Sequence, residues 1–311
     1  MTGLIAFRLA LLVPSLVLLT FLLFACVTGV LGSPAAMMLG QDATPEAIER
    51  IDQQYGFDRP IVMQYVGWLQ RAVHGDFGRS YATRQPVAAM LTTAIPVTLE
   101  LSAWSILLAV SAALILNSIV WARGILGPVT ALLAIVGITV PNFILGTGLI
   151  YLLSVRLHWL PTTGWVPWSE GARTHLVHLI MPVLTLSAFY FGSYSMVYRA
   201  QYRATYRQAY IRVAQAKGLS DTRVSFRHAL PNSVLPVITY LGISLGQLMG
   251  GAVVTENVFS IPGIGGLFVN AIGSYDFPVM LVIGMIILAA VTVMNIAVDI
   301  AYTIVNPQLR T

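Results

Sequence analysis

Three carboxylates stand in or beside stretches that otherwise carry almost no charge: Glu100, Glu256 and Asp299. An ionisable side chain at membrane depth is costly, so each is a default candidate for a functional role, as pathway lining or proton relay. With Asn295 they form the set of candidate translocation-pathway residues. Glu100 and Glu256 either face such a pathway or a partner subunit, or they cap helix ends and pair with arginine near the interface. Asp299, close to the far end of its stretch, leans to the structural role. His175 and His178 are three residues apart and could share a helix face, where they would hold a metal or, alternatively, serve as capping or interfacial groups. His74, His158 and His228 complete no ligand set.

Other chemistries are excluded by what the chain lacks. A phosphate-binding P-loop needs Gly-Lys-Ser/Thr. Lys217, the sole lysine, lies between Ala216 and Gly218. ATP and Mg²⁺, if used, must therefore be bound by another polypeptide. There is no His-Glu-x-x-His. Cys26 is the only cysteine, so neither an intrachain disulfide nor a cysteine metal site can form. The expectation is a non-enzyme with no catalytic residue, no metal and no cofactor of its own.

The elements that carry these residues follow from composition. Of 311 residues, 57% are hydrophobic and 9% charged, against about 25% charged in a soluble domain. That is too little charge to coat a globule in water, and a lipid bilayer removes the need. The net charge of +5 marks cytoplasmic loops and not a nucleic-acid partner. Arg8 and the apolar run ending at Cys26 have the outline of a lipoprotein signal. Phe24 is bulky where such signals need a small residue, so the run is expected to be a retained helix.

The fold class is thus all-α membrane protein, with six apolar stretches long enough to span: Leu9 to Leu31, Ile95 to Val120, Ile125 to Val155, Leu176 to Tyr198, Pro231 to Val254 and Phe277 to Tyr302. The segment 199–230 holds Arg199, Arg203, Arg207, Arg212, Lys217, Arg223 and Arg227 against Asp221, which predicts a cytoplasmic loop. An even number of crossings then places both termini, 1–31 with the first span and the tail 303–311, on the cytoplasmic side. Segment 32–94 falls outside, preceding a five-helix core over 95–302. Its arginines 50, 59, 71, 79 and 84 are balanced in sequence by Asp42, Glu46, Glu49, Asp52, Asp58 and Asp76. Within it Thr44 and Pro45 predict a helix start and Gly56 its stop. Pro60 to Val73 reads as a second amphipathic helix. Trp159, Trp165 and Trp168 suit an interfacial belt on the outer side. Gly242, Gly246, Gly250 and Gly251 suit close helix packing or a sliding pathway helix.

In the basic loop, Ala209 to Ala216 is a small-residue helix, closed at Gly218 and followed by a new start at Ser220 and Asp221. Small side chains let a helix sit deep in a partner's groove; the alternative is a basic loop resting on anionic lipid. Tyr210 to Ser220, followed by Arg227-His228-Ala229-Leu230-Pro231-Asn232, resembles the EAA loop of ABC importer permeases, most of all the first (B-type) subunit of the dipeptide/oligopeptide/nickel family. Arg212 stands where many importers have Glu. The resemblance extends through Tyr55 to Pro60, His74 to Ser80, Thr98 to Leu101, Val254 to Glu256, Phe259 to Gly265, and Asn295, Asp299, Tyr302 and Asn306-Pro307. Gly32-Ser33-Pro34 departs from the family's Gly-Asp-Pro.

The resemblance implies a type I ABC importer permease. Arg212, Ala214, Ala216, Lys217, Gly218 and Leu219 would form a coupling helix that docks on an ATPase. The implied partners are a second homologous permease, two ATP-binding subunits or one fused ATPase, and an extracytoplasmic binding protein that delivers cargo. Peptides lead as cargo, with nickel chelates or other small solutes as the alternative. The rival function is a stand-alone proton-coupled transporter working through Glu100, Glu256 or Asp299.

Overall fold

The computed structural model describes residues 2–31, 34–39, 44–123 and 127–305. Gly32, Ser33, Asp42, Ile125, Asn306, Pro307 and Arg310 lie outside this set, as do the side chains of Arg8, Asp299 and Tyr302. In chain order the helices are α1 (Thr2–Leu31), α2 (Pro34–Leu39), α3 (Pro45–Tyr55), α4 (Ile61–Val73), α5 (Val87–Arg123), α6 (Gly127–Thr139), α7 (Asn142–Leu149), α8 (Ala172–Tyr206), α9 (Ala209–Ala216), α10 (Asp221–Arg223), α11 (Leu230–Ser233), α12 (Leu235–Val258), α13 (Ile264–Gly273) and α14 (Phe277–Val305). π-helical turns run from Ile150 to Arg156 and from Val224 to Ala229. Among the described residues the only β pairing is an isolated bridge between Arg79 and Pro86.

Four helical segments are long and apolar enough to cross a bilayer: Ala10–Gly29, Val87–Val120, Ala172–Tyr206 and Phe277–Ile296. Where the other two spans are expected, the helices form bent pairs. Gly127–Thr139 meets Asn142–Arg156 at 115°, and Asp221–Ser233 meets Leu235–Leu248 at 50°. Proline explains both breaks. Pro141 has no N–H to donate and holds Val140 out of the helical region. Pro236 stands just after the second break, and Pro231 within α11. The second span begins at Val87 and not at Ile95. Thr92 and Thr93 lower its apolarity, but Ala88, Ala89, Met90 and Leu91 continue the helix ahead of Pro96.

The chain divides into two compact units. The first comprises Met1–Thr98 and Pro262–Thr311. There α1 packs along α14, and Gly284 makes room for Leu23: a Cβ on it would stand 2.9 Å from a Leu23 methyl. Phe24, Tyr65, Phe277, Leu281 and Met285 form the core. Tyr65 carries α4 onto α1, its ring edge-on to Phe21 and Phe24 and its hydroxyl 2.7 Å from Thr20 Oγ1. Thr44 caps α3 by accepting the Ala47 N–H, and Gly56 ends that helix at φ +73°.

The second unit is Leu99–Ile261, organised on α8, against which α6, α7 and α12 pack. The α6–α8 crossing is the tight one. A Cβ on Gly137 would stand 2.2 Å from the Ala188 carbonyl oxygen, and one on Gly192 would stand 2.4 Å from that of Ala134. The close approach expected along α12 is looser: a Cβ on Gly250 would meet nothing within 4 Å.

Candidate functional site

The basic loop is a short amphipathic helix between two fixed ends. α9 leaves α8 through Arg207 and Gln208 and turns its small apolar face inward, burying Ile211 (0% exposed) and Ala214 (6%). Tyr210 (42%) and Val213 (53%) point outward. Gly218 closes the helix at φ +79°, its N–H donating to the Gln215 carbonyl at 2.9 Å, while the Leu219 N–H reaches back to Ala214. A side chain there would be strained by its backbone alone, since nothing stands near the Cβ position. Ser220 then caps α10 through the Arg223 N–H. Of the six residues assigned to coupling, Arg212, Ala216, Lys217 and Gly218 lie on the exposed side, Leu219 is half-buried and Ala214 faces the protein. Tyr210 and Val213 join the exposed face; Val213 stands well away from Ile211 and Ala214 on a helix of period 3.6, whereas Tyr210, four residues before Ala214, carries no such signal.

A hydroxyl chain fastens this loop to the long helices. Tyr190, Tyr194, Tyr198, Tyr202 and Tyr206 recur every fourth residue along one face of α8. Tyr202 donates to Ser225 Oγ (2.8 Å), and Ser225 donates to the Ser118 carbonyl on α5 (3.1 Å). Ser118 Oγ lies 2.6 Å from the Tyr198 hydroxyl, and Tyr206 accepts from Gln215 of α9 (3.2 Å). Rings 198, 202 and 206 follow one another at 5.5 Å. Beside them Arg199, counted above with the loop, lies within α8 and donates to Asn117 of α5 and Thr130 of α6. The fourfold tyrosine spacing was visible in the sequence; the serine partners, remote in the chain, were not.

Of the four pathway candidates, Glu100 and Glu256 lie in the second unit, and Asn295 and Asp299 lie on α14 of the first. Among the described residues Glu100 hydrogen-bonds neither an arginine nor Glu256. Its Oε1 lies 2.9 Å from His175 Nε2 and accepts the Trp168 indole N–H at 2.9 Å. His175 is 1% exposed, stacked on Trp168 with centroids 4.0 Å apart, and its Nδ1 lies 2.6 Å from the Val166 carbonyl. A carbonyl only accepts, so Nδ1 carries hydrogen, and one further proton bridges Nε2 and the Glu100 carboxylate. His178 turns away to the Thr174 carbonyl. Trp165 and Trp168 therefore act as walls around an acid–imidazole pair that ties the 157–171 segment to α5 and α8. Glu256 is fully buried near the end of α12, Asn295 is exposed on α14, and Asp299 lies on α14 with its side chain outside the description.

A further anchor escaped the sequence reading. Asp276, 3% exposed, receives the Ser80 hydroxyl and the N–H groups of Tyr81 (3.0 Å) and Ala82 (3.4 Å). Ser80 Oγ in turn accepts the Thr83 N–H at 2.9 Å. Thr98 Oγ1 accepts the Ile264 N–H at 2.8 Å. Motif segments far apart in the chain thus meet as hydrogen-bond partners.

Apolar helices long enough to span, bent pairs and an exposed short helix pinned to them define a multi-pass helical membrane protein with a basic loop fastened to its long helices. The chain belongs to the ABC importer permeases of the peptide family. Residues 105–311 match the family described as binding-protein-dependent transport system inner membrane component, and residues 1–102 match its N-terminal membrane component. A probable peptide ABC transporter permease of Sinorhizobium fredii is 34% identical over 281 residues, 90% of each chain. A putative peptide transport system permease of Brucella abortus is 34% identical over 100% of this chain and 99% of its own. The glutathione transport system permease of Escherichia coli is 34% identical over 97% of each.

Proposed function

We propose that the chain is one half of a permease heterodimer that imports peptides, glutathione among them, by alternating access across a prokaryotic inner membrane. Both termini and segment 199–230 face the cytoplasm, and segment 32–94 faces outward, where a binding protein delivers cargo. ATP and Mg²⁺ are bound by the partner ATPase subunits. Nucleotide-driven closure of those subunits moves α9, and the movement reaches α5 and α8 through Tyr206, Tyr202 and Ser225.

The observation that carries this reading is α9 itself. Exposed Tyr210 and Val213 sit over a buried footing of Ile211 and Ala214, which suits a helix that hands force to a partner more than one that floats on lipid. Peptide cargo rests on the names of the relatives. Val213→Arg in the assembled transporter, reconstituted in proteoliposomes, is the test. Transport and cargo-stimulated ATP hydrolysis are expected to fall at least about tenfold, a loss of ~1.4 kcal/mol in coupling, with membrane insertion unchanged. Proton-driven uptake by the purified chain alone would refute the reading.

A further inference from the structure

The arginines of segment 32–94 balance its acids in sequence but not in space. Arg59, Arg71, Arg79 and Arg84 all line one cavity of about 580 Å³ in the first unit, and Asp76 is the only carboxylate among its described lining residues. Asp76 Oδ1 already accepts the Gly78 N–H at 3.0 Å. Among the described residues no carboxylate stands within ion-pair distance of the four guanidinium groups. Four like charges around one hollow repel one another, and an anion inside it relieves that repulsion.

The hollow is built rather than incidental. Arg84 sits at φ +62°, a backbone region that side chains rarely adopt. Arg79 Nη1 donates to the Arg84 carbonyl at 3.3 Å, and the Asp276 anchor fixes the backbone at Tyr81 and Ala82 between them. Arg71 belongs to α4, which Tyr65 holds on α1. Trp68, Phe77 and Tyr81 supply aromatic wall. The volume lies within the ~300–1,000 Å³ of sites that enclose short ligands, and arginine forks match carboxylates in pairs.

The geometry points to a carboxylate-recognition site whose occupant is an acidic segment of the binding protein that delivers cargo. This rests on the outward placement of segment 32–94 proposed above. Charge complementarity favours that occupant: several carboxylates on one short peptide stretch answer four arginines at once, and an acidic surface would also be steered toward the cavity.

The test uses the full-length chain in phosphatidylcholine nanodiscs, with fluorescein-labelled hexaglutamate as probe and hexaglutamine as control. Low ionic strength, ~50 mM, keeps screening weak. Hexaglutamate is expected to bind and hexaglutamine not, and Arg59→Glu/Arg71→Glu to weaken binding at least about tenfold. Neither side chain donates a hydrogen bond among the described residues, so the fold should stand; Arg59→Gln/Arg71→Gln, expected to show a smaller loss of the same kind, guards against a folding artefact. In the assembled transporter, capture of its binding protein should fall with the same variants. Equal hexaglutamate binding by wild type and variants overturns the proposal. So does unchanged capture of the binding protein, or a variant-sensitive gain in melting temperature with phosphatidylglycerol and none with hexaglutamate, which would make the cavity a lipid-headgroup site. The peptide arm contains no ATPase, so failure of coupling through α9 leaves its outcome untouched.

Discussion

Two loops of this molecule are held by opposite means. Segment 74–86 hangs on one buried carboxylate, Asp276, which takes a hydroxyl and two backbone N–H groups. Segment 199–230 is held by several neutral hydroxyls, those of Tyr198, Ser118, Ser225, Tyr202 and Tyr206, sharing the load among hydrogen bonds and ring contacts. A single ionised anchor makes a stiff joint that fails at one point. A distributed chain of weaker bonds can shift without coming apart. A wall that frames a cavity benefits from the first, and a loop that must transmit movement benefits from the second.

That contrast breaks most visibly at Asp276. Replacing it with Ala leaves the Ser80 hydroxyl and two backbone N–H groups without their acceptor, at a cost of at least about 3 kcal/mol, since bonds to a charged group are worth ~1.5–3 each. Limited proteolysis should then open segment 74–86 before the rest of the chain, and Asp276→Asn should restore part of the protection. Unchanged protection in Asp276→Ala would mean the segment is held elsewhere.

Next in size is the acid–imidazole pair. Glu100→Ala removes the partner of a buried His175 and of the Trp168 indole, at about 2 kcal/mol. The stacked Trp168 should report this as a red-shifted fluorescence as the 157–171 segment loosens. Glu100→Gln, which can still accept from the indole, should shift it less. Equal spectra for both variants would show that the stack, and not the carboxylate, holds the segment.

The hydroxyl chain should yield smaller steps. Tyr202→Phe keeps the ring contacts and deletes one donor, costing about 1 kcal/mol. Combining it with Ser225→Ala should cost less than the two single losses added together, because both remove the same bond. A melting series on the four proteins checks this. Full additivity would show that the members do not act as a chain, and a loss as large as that of Asp276→Ala would abolish the contrast between the loops.

Local structure was legible in the sequence wherever one turn of chain decides it. The caps at Thr44 and Gly56 and the stop at Gly218 fall where residue type and spacing put them. The membrane class followed from composition, and the family from the motifs. A proline near a helix end is a legible kink signal, and the first bent span breaks at Pro141; in the second, hydropathy averages over Pro236 while the backbone cannot. Long-range pairings were the illegible part. Asp276 has no local feature that separates it from an ordinary helix-start acid, and its partners lie almost two hundred residues upstream, at positions 80 to 82. The charge balance of segment 32–94 misled for the same reason: counting along the chain does not show which side of a helix a charge occupies.

The smallest expected effect belongs to a bond the sequence did locate. The Thr44 side chain accepts the Ala47 N–H, at 3.3 Å, on the exposed end of α3. Thr44→Ala should cost about 1 kcal/mol or less, the ordinary value for a lost N-cap. α3 has a Pro at its first position and a glycine stop at its end, so the helix should fray at Pro45 and Glu46 and persist beyond them. Hydrogen exchange should therefore quicken at Ala47 and Ile48 and stay unchanged across α4 and segment 74–86. Faster exchange reaching Arg71 or Tyr81 would tie the cap to the arginine-lined cavity, making the anchoring of the outer segment as distributed as that of the basic loop.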